Sequence, residues 1–205
     1  MPHHKTGKYR RPIPSLWLAP RLIPCKLGAM SDGSAAPLSD LPPCHAHLRL
    51  ASPEAMSEFT EALAPLLEPG DVLALSGDLG AGKTHFARGV IRTRLAQIGR
   101  VEDIPSPSFT LVQIYEARPC DIWHVDLYRL GDPRDVDELG LIDAFETEIC
   151  LIEWPERMMA DLPTRTIWLS FIYDQSAPDQ RHIRLCASQD HPKLPQLCAL
   201  AERHP

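Results

Sequence analysis

The chain has 205 residues, 44% of them hydrophobic and 23% charged, which is the composition of a globular protein of one ordinary domain plus something extra. Its net charge of -6 is unevenly spread: residues 1–29 hold six basic side chains and no acidic one, leaving 15 basic and 27 acidic residues in the rest. A body that acidic is a poor clamp for nucleic acid, so a protein partner is the expectation, and no apolar stretch approaches the ~20 residues needed to span a bilayer.

Eight of the 21 prolines fall within the first 43 residues, so residues 1–45 read as a disordered extension and residues 46–205 as the folded domain. Within the extension, Met30-Ser31-Asp32-Gly33-Ser34 has the look of an ordinary protein start, which makes residues 1–29 a candidate start-site artefact. Pro14, Pro20, Arg21 and Pro24 break up the patchily apolar stretch 13–27, a poor signal or transit segment, and a cytoplasmic location is expected. The six cysteines (Cys25, Cys44, Cys120, Cys150, Cys186 and Cys198) form no C-x-x-C pair and read as reduced, mostly buried thiols.

Ser52-Pro53-Glu54 starts a helix, with a hydroxyl cap, a proline in the first turn and an acid beside it. Met56, Phe59, Leu63 and Leu66/Leu67 share one face of it, and Pro65 ends or bends the last turn. Val72-Leu73-Ala74-Leu75 is an apolar run suited to a buried parallel strand. Gly77-Asp78-Leu79-Gly80-Ala81-Gly82-Lys83-Thr84 then fits G-x-x-x-x-G-K-[ST], the phosphate-binding P-loop. Its glycines let backbone N–H groups approach phosphate oxygens, Lys83 reaches the β- and γ-phosphates, and the Thr84 hydroxyl is a Mg²⁺ ligand. Phe86, Val90, Ile91, Leu95 and Ile98 recur at helical spacing behind the loop, so phosphate would sit on a helix N-terminus.

Ile104-Pro105-Ser106-Pro107 is a forced-extended loop before a strand over residues 109–115. Ser106, Ser108 and Thr110 lie where P-loop hydrolases place a switch segment, an ordinary proline-rich turn being the other reading. Residues 121–128 form another strand with Asp126 near its end, residues 134–145 an acidic helix behind Pro133, and Ile149-Cys150-Leu151-Ile152 a short apolar strand ending in Glu153. A short helix, two strands over 166–173 and 182–187 that are close enough to pair antiparallel, and a helix after Pro192 complete the chain. The expected fold is α/β: a P-loop NTPase-like three-layer sandwich with a mostly parallel sheet plus antiparallel strands at the C-terminal side.

A P-loop requires an acid at the end of a neighbouring strand. Glu153, behind four apolar residues, is the candidate metal-site acid, and Asp126 the candidate catalytic or metal-supporting one, with strand capping as the plain alternative for each.

The P-loop, Ser106-Pro-Ser-Phe-Thr-Leu-Val112, His124-Val-Asp-Leu-Tyr-Arg-Leu130 and Ile152-Glu-Trp-Pro-Glu156, in this order, resemble the bacterial TsaE (YjeE) family over roughly residues 50–190. The P-loop is shared by many families, whereas the last two segments are far more specific. The resemblance implies a small ATPase needed for the threonylcarbamoyladenosine at position 37 of certain tRNAs. It implies that the P-loop stretch Asp78, Leu79, Gly80, Ala81, Gly82, Lys83, Thr84 and His85 holds ATP, and that Thr84 and Glu153 hold Mg²⁺. Asp126 and Lys83 would serve hydrolysis, Trp154 would lie against the nucleotide, and Thr110 would belong to the switch segment. The implied partners are the TsaD and TsaB proteins, with tRNA met only through the complex, which ATP hydrolysis would reset between turnovers.

The sequence departs from the family at Ser108, where Thr is usual, at Ile114, where an acid is common, and at His85, where a hydroxyl residue is usual. A small P-loop kinase is the rival reading, though no arginine-rich lid insertion is evident. No N-K-x-D motif supports a GTPase, and an ATP-gated assembly subunit with incidental hydrolysis is the third reading.

Overall fold

A computed structural model describes residues 41–131, 133–173 and 176–204. The expected N-terminal extension, and with it the start-site reading of Met30, lies outside the described residues as far as residue 40. The first strand, β1 (Cys44–Leu50), begins inside the range expected to be extension. Its alternating Ala46, Leu48 and Leu50 carry the period-two pattern of a strand with one buried face.

Helix α1 (Pro53–Leu63) starts as its sequence dictates, with the Ser52 hydroxyl accepting from the Ala55 N–H. A 3₁₀ turn over Ala64–Leu66 ends it at Pro65. Strand β2 (Val72–Ser76) leads through the glycine loop into α2 (Lys83–Gln97). Then follow β3 (Val112–Tyr115), β4 (Ile122–Asp126), a 3₁₀ segment (Pro133–Leu139), α3 (Leu141–Thr147) and β5 (Ile149–Glu153). A 3₁₀ turn (Pro155–Met158), β6 (Ile167–Tyr173), β7 (Arg181–Cys186) and α4 (Leu194–Ala201) close the chain.

Among the described residues seven strands form one sheet in the order β1-β7-β6-β2-β5-β4-β3. The central strands β6, β2, β5 and β4 are mutually parallel. β7 pairs antiparallel with β6 and with β1, and β3 adds an antiparallel edge beside β4. The α/β expectation and the C-terminal hairpin both hold; the β3 edge extends the antiparallel part to the other side.

Residues along β2 and β5 alternate between two cores. Leu73, Leu75 and Leu151 pack with Phe59, Phe86 and Leu197 from α1, α2 and α4, while Val72, Cys150 and Ile152 pack with Leu141, Phe145 and Met158. Both faces of the central strands are thus covered, which explains why they read as unbroken apolar runs. Among the described residues no helix is long and apolar enough to cross a membrane.

Four expectations are corrected. The strand over 109–115 is confined to Val112–Tyr115, because Leu111 turns into the left-handed region at φ 63°. The strand over 121–128 stops at Asp126, beyond which Leu127 N–H turns to the Glu153 carbonyl at 3.1 Å. The acidic helix over 134–145 is two pieces, a 3₁₀ segment and α3, separated by Gly140 at φ 73°. The thiols are not all free either, since Cys44 on β1 is bonded to Cys186 on β7, while Cys120, Cys150 and Cys198 are free. The sequence separation of 142 between the bonded pair leaves no local spacing from which to read it.

Gly77 joins β2 to the loop at φ 137°, and a Cβ there would stand 2.4 Å from the Phe171 carbonyl oxygen of β6. Strain and overpacking act together at that position, so Gly77→Ala is expected to lose at least about 2 kcal/mol of folding stability. Urea unfolding tests this, and an unchanged midpoint would contradict it.

Candidate nucleotide site

The sheet brings the chemistry to one edge through strand register. In the parallel pairing of β2, β5 and β4, Leu75 stands beside Glu153 and Glu153 beside Asp126. Both acids therefore emerge at the strand ends next to the glycine loop. Gly82 takes φ 109° as the N-cap of α2, and a Cβ there would stand 3.5 Å from the Arg181 side chain. The N–H groups of the first turn of α2 have no partner within the helix and carry its positive dipole end.

A cleft of about 530 Å³ opens there, lined by Leu79, Gly80, Gly82, Lys83, Thr84, His85, Ser106, Ser108, Asp126, Tyr128, Arg129, Glu153 and Trp154. Of the residues expected from sequence, nine meet in this lining: Leu79, Gly80, Gly82, Lys83, Thr84, His85, Asp126, Glu153 and Trp154. Asp78 takes part through its carbonyl, which accepts from Lys83, and Ala81 is buried beneath the loop. Thr110 is exposed and outside the lining, where Ser106 and Ser108 of the same segment stand instead.

Lys83 is only 4% exposed. Its Nζ donates to the carbonyls of Gly77 at 2.5 Å and Asp78 at 2.9 Å, and stands 4.0 Å from the centre of the Trp154 ring. Burial pulls its pKa below the ordinary lysine value, against the opposing pull of Glu153, Glu156, Asp126 and Asp78. The ammonium is held by neutral groups that a phosphate would outcompete.

The Thr84 hydroxyl donates to Glu153 Oε2 at 2.7 Å, and His124 Nε2 meets Oε1 of the same carboxylate at 2.9 Å. Two hard oxygen donors, one of them a carboxylate, are the set that suits Mg²⁺, so the residues present fit that ion. Asp126 accepts from the Ser106 hydroxyl at 3.2 Å and from the Tyr128 N–H at 3.1 Å. Burial raises its pKa above the ordinary carboxylate value and adjacent Glu153 adds to the rise, whereas both hydrogen bonds oppose it.

Sequence reasoning gave no role to His124, to Tyr128, whose ring lies 5.0 Å from that of Trp154, or to Arg129, stacked 4.3 Å over Phe109. It also passed over Arg181, whose guanidinium comes within 3.5 Å of the Gly80 carbonyl. His124 and Tyr128 each stand two positions from Asp126, so period-two spacing around that acid was the available signal for them. Arg181, in contrast, is 101 residues from Gly80, and nothing local announces it.

Comparison with known proteins gives a consistent result. The family model described as threonylcarbamoyl adenosine biosynthesis protein TsaE matches residues 50–183. The tRNA threonylcarbamoyladenosine biosynthesis protein TsaE of Rickettsia bellii is 42% identical over 118 residues, 58% of this chain and 80% of its own length. That of Haemophilus influenzae is 40% identical over 132 residues, 63% of this chain and 79% of its own. The Bacillus subtilis protein of the same name is 32% identical over 157 residues, 76% and 93% respectively. The crystal structure of Bacillus subtilis YdiB is similar at a TM-score of 0.59 and 28% identity, covering 79% of this chain and 97% of that one.

The Ser106 hydroxyl favours the charged form of Asp126, so removing it must raise the Asp126 pKa further. Ser106→Ala is therefore expected to move the midpoint of the Asp126 carboxyl ¹³C titration to higher pH. A midpoint that stayed or fell would show that the bond does not operate in solution.

Proposed function

The chain belongs to the TsaE family and so to the biosynthesis of tRNA threonylcarbamoyladenosine, and from that premise we propose that it is a Mg²⁺-dependent ATPase whose hydrolysis resets a partner transferase. One observation carries this reading: a P-loop lysine, a helix N-terminus and two strand-end acids converge on a single cleft.

In this reading Lys83 and the first N–H groups of α2 bind the β- and γ-phosphates, exchanging the carbonyls of Gly77 and Asp78 for phosphate oxygens. Thr84 and Glu153 would hold Mg²⁺, which when bound would supply Lewis-acid neutralisation of phosphate charge. Asp126 orients the attacking water and accepts its proton. Its raised pKa brings it closer to the operating pH, as general-base work requires. Trp154 walls the cleft beside Lys83 and limits water around the ammonium.

The family resemblance supplies the proposed partners, the TsaD and TsaB proteins. An acidic body suits such docking better than it suits direct contact with tRNA. ATPase assays of the protein alone and with TsaD and TsaB test the proposal. Turnover stimulated by those partners supports it; dependence on a small acceptor and indifference to the partners would identify a kinase instead. Binding and docking without turnover would identify a gate.

Lys83→Ala removes a charged phosphate partner and is expected to weaken nucleotide binding by about 10–100-fold. Asp126→Ala should bind nucleotide normally but turn over at least about 10²-fold more slowly in the complex. Normal hydrolysis by this variant would remove Asp126 from the mechanism. Glu153→Ala is expected to flatten the Mg²⁺ dependence of nucleotide affinity, as equilibrium binding at varied Mg²⁺ will report; undiminished dependence would remove Glu153 from the metal site.

A further inference from the structure

Beneath the cleft lies a titratable side chain that the proposed mechanism leaves unused. His124 is wholly buried on β4, two residues before Asp126 and hence on the same face of the sheet, one step deeper. Its Nε2 meets Glu153 Oε1 at 2.9 Å, while the Thr84 hydroxyl holds Oε2 at 2.7 Å. Its Nδ1 has no hydrogen-bond partner among the described residues. A side chain kept only to fill this space would be apolar, because a buried imidazole with one nitrogen unsatisfied is a poor filler. The residue is explained by what its other nitrogen does.

We infer that His124 is a positioning residue for the metal site: its ring N–H locks the Glu153 carboxylate so that Oε2 is presented to Thr84 and the cleft. The inference rests on the reading of Thr84 and Glu153 as Mg²⁺ ligands. The terminal torsion of a glutamate is broad, so a carboxylate at a strand end swings unless one oxygen is tied. The cleft must stay open on the Oε2 side, so the tie has to come from below. β4 is the neighbouring strand there, and His124 is the residue of β4 that reaches Oε1. Histidine also suits the position chemically, since it delivers one directed N–H from a rigid ring. With Nε2–H donating to the carboxylate, the oxygen it holds is fixed and the other gains definition as a ligand.

The test compares His124→Phe, which keeps the ring but not the donor, with His124→Gln, which keeps an N–H donor. Binding of the fluorescent nucleotide mant-ADP is followed while Mg²⁺ is titrated, and thermal melting is measured on each variant. The Mg²⁺ midpoint is expected to rise about 10–100-fold in His124→Phe and to recover most of the way in His124→Gln. Mant-ADP affinity without Mg²⁺ should change less than about twofold, because the phosphate groups that Lys83 serves are untouched. A folded His124→Phe with the wild-type Mg²⁺ midpoint overturns the inference, as does an equal loss of binding with and without Mg²⁺.

Should the Phe variant fail to fold, ¹⁵N spectra of the wild-type imidazoles decide the matter. The Nε2–H signal of His124 should exchange slowly and shift when Mg²⁺ is added to the ADP-bound protein; an unmoved signal overturns the inference. A wild-type protein with no Mg²⁺ effect on mant-ADP binding would instead overturn the metal reading of Thr84 and Glu153. That result is distinct from a wild-type effect that His124→Phe leaves intact.

Discussion

The hydrogen bond between Thr84 and Glu153 joins the two halves of the molecule's chemistry. Thr84 stands at the start of α2, placed by the glycine loop, whereas Glu153 ends β5, a neighbour of β2 in the sheet. Glu153 is 2% exposed, and a carboxylate so far from water is tolerated only when its oxygens are satisfied. Thr84 and His124 take one oxygen each. The satisfaction of this one acid therefore fixes three elements against each other: the helix that carries the loop, the strand that carries the acid and the strand that carries His124. If any of them slipped by one residue, the acid would lose a partner inside the protein rather than at its surface.

Lys83 poses the complementary problem of a buried cation. The acids around it raise its pKa, but burial prevails and leaves its pKa lowered. Its direct partners are two backbone carbonyls and an indole face, all neutral. A lysine bonded instead to Glu153 would be better neutralised, but a phosphate would then have to break an ion pair on entry. Here the acids are near enough to stabilise the charge and are themselves engaged elsewhere, Glu153 by Thr84 and His124, Asp126 by Ser106 and Tyr128. The arrangement leaves the Lys83 Nζ desolvated and bound only to neutral groups.

How much of this was legible in the sequence depended on the range of the interaction. The strand–loop–helix unit from Val72 to Gln97 was plain, because its apolar run, glycines and helical period are all local. Glu153 and Asp126 were legible as candidates since an acid at the end of an apolar strand has few uses, but their adjacency is a matter of register and needed the sheet. Strand β1 is not legible in the sequence although Ala46, Leu48 and Leu50 alternate, because three alternating residues directly behind Pro42 and Pro43 are too short a pattern to stand out. Thr110 and Ser106 exchanged importance for a local reason that the sequence did not expose. Leu111 adopts a left-handed conformation, which turns the segment so that the earlier hydroxyl faces Asp126. The Cys44–Cys186 bond and the approach of Arg181 to the loop are long-range, and no pattern of spacing encodes them.

The backbone itself records where the structure is held away from its relaxed form. Among the described residues, the non-glycine residues at positive φ are Leu111 and Trp154, at 63° and 60°. Trp154 follows Glu153 directly, and its N–H turns to the Leu75 carbonyl at 3.3 Å, while the Leu111 carbonyl accepts from the Asp126 N–H at 2.9 Å. Each strained residue thus adjoins one of the two acids. A left-handed conformation costs an ordinary side chain about 1–2 kcal/mol, so the pair takes a sizeable share of a typical domain's stability. Relaxed backbone at either place would carry β5 onward or swing the 106–111 segment away, and the acid beside it would lose its orientation. Strain of this size persists because the two cores on either face of the sheet hold the strands in place regardless. The stability of the sandwich, built from local apolar pattern, is what lets the cleft keep two side chains in conformations that local pattern would not choose.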